Sequence, residues 1–326
     1  MTGLRRLALA VAALCAVSVG AVSAELSVIE TTAPVREIAT VGGVFVTLAN
    51  GLAYRVDKCR DEPVCLVQVD AVPPPSRAPS GGLSDGGLAT ARAGDIIRAW
   101  YARPTDRYDH GVLGDRIEAG SLVAETRSGR RYELRLPDTH VFEDLTPRIA
   151  DLDRDGSNEI VAIRSSLARG AAVALYGIRD DALVLLDATP EIGRTHRWLN
   201  IAGIADYTGA GVPVVAWVET PHIGGILRMA AFQGGRLDIF QNAYRGFSNH
   251  VIGSRNLAMS ATGDFTGDGV PDLAIPSADR RELVVAARTG ITRIVVPGRI
   301  DHAIGAIDGV IVTATEDGHL LAIIVR

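Results

Sequence analysis

The stretch DLDRDGSNEIVAI places Asp151, Asp153, Asp155 and Glu159 within nine residues, with Gly156 among them, and then runs into Ile160, Val161, Ala162 and Ile163. Four crowded carboxylates repel one another unless something positive sits between them. Oxygen donors at alternate positions, with a glycine for the sharp turn, form the donor set of a hard cation such as Ca2+. The apolar run that follows has the length of a β-strand, and nothing beside the loop carries the helical pattern of an EF-hand.

The loop recurs. IADLDRDGSNEIVAI (149–163) lines up with IADYTGAGVPVVAWV (204–218) and TGDFTGDGVPDLAIP (262–276). The leading aspartates Asp151, Asp206 and Asp264 are 55 and 58 residues apart, and Gly156, Gly211 and Gly269 share the sixth loop position. The first loop (151–159) offers Asp151, Asp153, Asp155 and Glu159, with the Ser157 carbonyl at position seven. The third (264–272) offers Asp264, Thr266, Asp268 and Asp272, with the Val270 carbonyl. The second (206–214) keeps Asp206 and Thr208 but has Ala210 and Val214 where carboxylates belong, so it is expected to be a turn with a weak or lost metal site. The expectation is two Ca2+ ions, held more tightly by the first loop than by the third because it has more carboxylates. The alternative is acidic surface turns without metal.

Around these loops the chain alternates short apolar runs with turn signals. Asn50-Gly51, Ser128-Gly129, Gly234-Gly235 and Asp317-Gly318 each sit between alternating runs, as two-residue hairpins require. No segment beyond the N-terminal leader shows helical periodicity. Acidic loops and hairpins recurring every 50–60 residues predict an all-β fold, a β-propeller of about six four-stranded blades (range five to seven). The last segment is short of a full blade, and a strand from near Ser27 to Val41 would complete it, closing the ring with the two chain ends. Residues 25–326 are read as a single domain, interrupted by a Pro/Gly/Ser-rich loop at 72–95, either a disordered excursion or a binding lid.

The pattern D-x-D-x-D-G-x-x-[DE] followed by a strand, repeated at this period, resembles the FG-GAP/VCBS repeat family, which includes the propellers of integrin α-subunits. The resemblance is carried by the three loops and extends by strand pattern over most of 36–326. It implies a β-propeller with calcium in its hairpin loops. It implies no activity, because the family includes adhesins, enzymes and proteins with neither role.

His110, His140, His196, His250 and His302 each fall just upstream of a predicted blade, whereas His222 lies off that phase. Repeat position alone accounts for the five, each tying a connection to its own blade. The sharper alternative is that several imidazoles converge on the propeller channel to bind a metal or an anionic ligand. The sequence contains no G-x-S-x-G elbow, H-E-x-x-H, P-loop or dinucleotide fingerprint, so no residue is assigned as catalytic. Trp100, Trp198 and Trp217 are expected in blade cores rather than in a sugar platform.

Arg5 and Arg6, the apolar run Leu7 to Val19 and the small residues Val22, Ser23 and Ala24 read as a signal peptide (1–24) cleaved after Ala24, which places the protein in the periplasm or outside the cell. The mature chain has no further long apolar run for a transmembrane segment. Of the three cysteines, Cys59 and Cys65 remain after cleavage, and an oxidising compartment favours their pairing over two free thiols. A net charge of −5 with interspersed Arg and no basic stripe argues against nucleic acid as a partner. The expected role is a calcium-binding module or scaffold for a protein or glycan ligand. The alternative is a carbohydrate-active lyase or hydrolase using histidines near the channel.

Overall fold

The computed structural model describes residues 23–326. The expected signal peptide therefore lies outside the described residues except for Ser23 and Ala24. Every regular segment described is a β-strand, and no helix among these residues is long and apolar enough to cross a membrane.

Strand β1 (Ala24–Ile29) precedes a first meander of β2 (Val35–Ala39), β3 (Val44–Leu48), β4 (Ala53–Asp57) and β5 (Cys65–Val69). The second meander is β6 (Ala89–Thr90), β7 (Ile96–Thr105), β8 (Glu118–Thr126) and β9 (Arg131–Arg135). After β10 (His140–Phe142) comes the third, β11 (Arg148–Ala150), β12 (Glu159–Ser166), β13 (Gly170–Arg179) and β14 (Ala182–Ala188). The fourth is β15 (Leu199–Ala205), β16 (Val214–Glu219), β17 (Ile226–Gln233) and β18 (Arg236–Ile239). Strand β19 (Tyr244–Arg245) folds back onto β17 before the fifth, β20 (Ala261–Gly263), β21 (Asp272–Pro276), β22 (Glu282–Ala287) and β23 (Gly290–Val295). The sixth, β24 (Gly305–Ile307), β25 (Val310–Ala314) and β26 (Leu320–Val325), receives β1 as its fourth strand, in register from Ala24 opposite Val325 to Ile29 opposite Leu320. Strand β10 pairs with both β8 and β12, which joins the second and third meanders into one sheet.

The single strand expected over Ser27–Val41 is thus two strands serving different sheets. The break falls at Pro34, which has no N–H for a ladder; its carbonyl instead accepts from the Ala49 N–H at 2.8 Å. The four expected hairpins are present. At Asn50-Gly51, for example, the Leu48 N–H reaches the Leu52 carbonyl at 2.8 Å.

The apolar runs of β12 and β16 arise because both faces of each strand are buried. Val161 and Ile163 of β12 pack with Val215 and Trp217 of the fourth meander, while Ile160 and Ala162 pack with Tyr101 and Leu122 of the second. Strand β16 repeats the arrangement: Val214, Ala216 and Val218 turn to Leu273 and Ile275 of the fifth meander. Further clusters join the fifth meander to the sixth and the sixth to the first. Among the described residues, the second through sixth meanders and then the first are thus joined in order. None of the hydrophobic clusters joins the first meander to the second.

Between those two runs the Pro/Gly/Ser-rich segment, which is ordered rather than a disordered excursion. Leu83 is buried, its N–H bonds the Tyr101 carbonyl, Asp85 pairs with Arg255, and the segment itself contains β6. Cys59 and Cys65 form a disulfide with Cα atoms 5.5 Å apart, closing the connection between β4 and β5.

Gly225, just before β17, shows how tightly the fourth meander packs against the connection that follows it. An added Cβ would lie 1.6 Å from the Phe247 carbonyl oxygen, which is backbone and cannot yield cheaply. Gly225→Ala is therefore expected to lower stability by about 2–4 kcal/mol. The check is denaturant unfolding of Gly225→Ala beside wild type; equal stability of the two would refute the packing account.

Candidate functional site

In an antiparallel meander the first and third turns lie at one end of the sheet. The second turn and the connection to the next meander lie at the other. All three acidic loops are first turns: β11 to β12, β15 to β16, and β20 to β21. They sit side by side, with Arg154 Nη1 lying 3.9 Å from where a Gly211 Cβ would be, and Val270 lying 3.2 Å from the corresponding point at Gly209. The histidines 110, 140, 196, 222, 250 and 302 all occupy second turns or connections, at the opposite end. His110 differs from the sequence expectation: it lies in the β7–β8 turn, inside the second meander rather than ahead of a blade.

The acidic loops share one skeleton. Each leading aspartate accepts the N–H of the sixth-position glycine: Asp151 from Gly156 at 3.1 Å, Asp206 from Gly211 at 2.5 Å and Asp264 from Gly269 at 3.0 Å. These glycines have φ of 90°, 84° and 81°, a region that other residues enter only with strain. In the first and third loops the ninth-position carboxylate accepts the N–H of the second position: Glu159 from Leu152 and Asp272 from Phe265, both at 2.9 Å. Val214 cannot do this in the second loop, where the Tyr207 N–H turns to the Ala205 carbonyl.

The loops differ in what remains unpaired. Carboxylate oxygens of Asp151, Asp153 and Glu159 lie within 4.8 Å of one another. Asp151 Oδ1 and Glu159 Oε1 are buried without a hydrogen-bond partner. Burial first, and then the neighbouring Asp153, Asp155 and Asp151, push the Glu159 carboxyl up to about 7, although the Leu152 N–H opposes them. Asp155 stands outside this trio and accepts the Ser157 N–H. In the third loop Asp272 Oδ1 is likewise buried and unpartnered, and Thr266 donates to Oδ2 of the same carboxylate. Asp268 there faces the Arg288 guanidinium at 3.2 Å. Asp206 is satisfied by Thr208, Ala210 and Gly211; these bonds outweigh burial and hold its carboxyl below the ordinary value. Orphaned buried oxygens fit a cation in the first loop and, more weakly, in the third.

At the other end, connections from three neighbouring meanders bring side chains together. His110 Nδ1 lies 2.5 Å from Glu143 Oε1, and Ser165 Oγ donates to the other oxygen of that carboxylate. Glu143 is fully buried, while the His110 side chain keeps 14% of its surface exposed. His196 stacks on His110 at 5.2 Å, and its Nε2 lies 3.2 Å from Asp109. Tyr108 contacts both rings and accepts the His196 backbone N–H; burial, then Glu143, pushes its phenol up to about 12. Glu118 is buried close by, and desolvation together with Glu143 and Asp115 holds its carboxyl well above the ordinary range.

Trp198 links this group to a second pair. Its indole N–H donates to the Glu143 carbonyl at 2.9 Å, and its ring packs on His222 and His250. His222 Nε2 lies 2.9 Å from His250 Nδ1, and His250 Nε2 lies 3.0 Å from the Ser254 carbonyl. His140 stands apart with Thr139 and Glu191, and His302 has a buried Nδ1 without a partner. Of the five histidines singled out by phase, the structure therefore joins His110 to His196 and His250 to the off-phase His222. Glu143, Tyr108, Ser165 and Glu118 carried no motif. The one local sign was an acidic Glu143-Asp144 pair directly after the apolar Val141-Phe142.

No protein-family model matches the chain. No curated protein matches it either. Among solved structures it is similar to the exotype rhamnogalacturonan lyase YesX, at 16% identity and a TM-score of 0.45 over 90% of this chain and 65% of that one. It is also similar to the rhamnogalacturonan lyase YesW, at 15% identity and a TM-score of 0.44 over 91% and 60%. A Bacillus licheniformis rhamnogalacturonan lyase aligns at 14% identity and a TM-score of 0.44 over 87% and 66%. The chain thus spans 60–66% of the length of these lyases.

The paired imidazoles give a pH dependence with a definite sign. Burial, then His250, His110 and Arg280, hold His222 down at about 4 from its ordinary 6.5. Burial holds His250 at about 4 against the bond to Ser254. Both rings take up protons more readily once the chain unfolds. Their contribution to stability is therefore complete above about pH 6.5 and is lost as the pH falls toward 4. Melting temperatures measured between pH 7 and 4 should fall, and His222→Asn should flatten part of that fall. A profile unchanged by the substitution would contradict this assignment.

Proposed function

We propose that the chain is an exported, calcium-bound β-propeller of the FG-GAP/VCBS kind, whose histidine-bearing face binds a glycan and cleaves it by acid–base chemistry. The propeller is supported by six meanders, by hydrophobic seams that follow one another in order, and by a C-terminal sheet completed with the N-terminal strand. Export is supported by the leader sequence and the Cys59–Cys65 disulfide.

The observation that carries the enzymatic reading is the Glu143–His110 pair, a buried carboxylate fixed to a partly exposed imidazole. Glu143 accepts from Ser165 and from His110 Nδ1, which sets the tautomer and leaves Nε2 as the nitrogen available to a substrate proton. His196, stacked 5.2 Å away beside Asp109, supplies a second imidazole for the complementary proton transfer. Cleavage of a glycosidic bond needs an acid and a base but no organic cofactor. That suits a chain whose sequence has no nucleotide-binding fingerprint. The second reading, a binding or scaffolding module for a protein or glycan, is favoured by the exposed Ile223 and Ile252 beside the His222–His250 pair.

Ca2+ belongs to the opposite end. Asp151, Asp153 and Glu159 would hold it in the first loop, with Asp155 and the Ser157 carbonyl completing the set. Asp264, Thr266, Asp268, Asp272 and the Val270 carbonyl would do so in the third. The ion neutralises carboxylates that the fold otherwise crowds together. At 100-fold excess over the dissociation constant its binding stabilises by about 2.7 kcal/mol. Asp153→Ala is expected to lower the melting temperature in calcium more than Asp206→Ala does, and the difference should vanish or reverse in EDTA. Equal losses with and without calcium would reduce the first loop to a structural turn.

Activity is tested by incubating the protein with neutral and uronic polysaccharides and following both reducing ends and unsaturated products. His110→Gln and Glu143→Gln should each lower kcat by about 10²–10⁴, with smaller changes in KM. Binding without turnover by the wild type would leave the module reading in place of the enzyme.

A further inference from the structure

We infer that His222 is a ligand-binding residue in its own right, presenting a bare Nδ1 as hydrogen-bond acceptor to a hydroxyl of an uncharged sugar ring. The inference rests on the reading of the histidine end as a glycan-binding face but does not require turnover. Proton bookkeeping fixes the form of the ring. The Ser254 carbonyl can only accept, so His250 Nε2, 3.0 Å away, carries a proton. A neutral imidazole carries one N–H, so His250 Nδ1 is bare and accepts from His222 Nε2 at 2.9 Å. His222 has then used its own proton, and its Nδ1 keeps a free lone pair.

The surroundings keep the relay in that form. His250 is 1% exposed, so water does not compete for its nitrogens, whereas His222 is partly exposed. The Trp198 ring lies parallel to His222, with an angle of 4° and centroids 6.1 Å apart, and packs on His250 at 4.7 Å. The β16–β17 turn and the following connection, which carry the two histidines, also expose Ile223 at 63% and Ile252 at 65%. An acceptor nitrogen with apolar side chains on its own two loops matches a pyranose, which offers O–H donors at its edge and C–H groups on its face. A lone pair is a poor partner for a carboxylate, so a uronate is not the expected occupant of this position.

The test uses the 15N-labelled full-length exported protein at pH 7. Long-range 1H–15N spectra should place the proton of both His222 and His250 on Nε2. Titration with methyl β-galactopyranoside and methyl α-rhamnopyranoside should shift the His222 Nδ1 resonance, while galacturonate should not. His222→Phe, which keeps an aromatic ring against Trp198, should weaken glycoside binding about tenfold, the scale of one lost hydrogen bond. A proton on His222 Nδ1 overturns the relay. A response to Zn2+ or galacturonate alone, or to none of the probes, overturns the uncharged-sugar assignment. Turnover in Glu143→Gln is read separately, so the failure of either claim is distinguishable from failure of the other.

Discussion

The constraint on which the rest depends is the strict antiparallel alternation of four strands per meander. It sends every first turn to one end of its sheet and every second turn and connection to the other. The acidic loops and the imidazoles are therefore separated by the length of a strand, about 20 Å for six residues. Carboxylates at one end cannot neutralise histidines at the other, so each end balances its own charge. At the loop end Asp151 and Glu159 are each left with a buried oxygen that has no hydrogen-bond partner. At the histidine end the balance is met by Glu143, Asp109 and the neutral relay through His250.

That separation survives because the sheets are held face to face by strands buried on both sides. Strand β12 contributes Val161 and Ile163 to one seam and Ile160 and Ala162 to another. Its first residue, Glu159, caps the acidic loop through Leu152, and its later residue Ser165 donates to Glu143 at the far end. One strand thus anchors both sites. A displacement of β12 would disturb cation loop and imidazole pair together, although neither touches the other.

Much of the architecture was legible because its signals are local. Asp/Gly spacing fixed the loops, and turn dipeptides between alternating runs fixed the hairpins. The site at the histidine end was not legible, because its partners are remote in the chain. His110 and Glu143 are 33 residues apart, Ser165 is 22 beyond Glu143, and Trp198 reaches back 55 residues to the Glu143 carbonyl. Repeat phase grouped His110 with His302, which serve unrelated positions, and set His222 aside although it bonds His250 directly. Spacing along the chain does not report which turns of neighbouring meanders lean together.

The second acidic loop shows how much of the turn stands without the later carboxylates. Its turn persists without the later carboxylates, because Asp206 alone accepts from Thr208, Ala210 and Gly211. The backbone of the turn therefore does not depend on the later carboxylates. What the first loop adds is Glu159, drawn into the interior to cap the Leu152 N–H, with one oxygen satisfied and the other left buried and bare. Val214 occupies the corresponding place in the second loop and removes both the cap and the orphan. The third loop lies between them: Asp272 keeps the orphaned oxygen, while Arg288 already neutralises Asp268 in part. What distinguishes the three loops is the ninth position and its neighbours rather than the leading aspartate that all of them share.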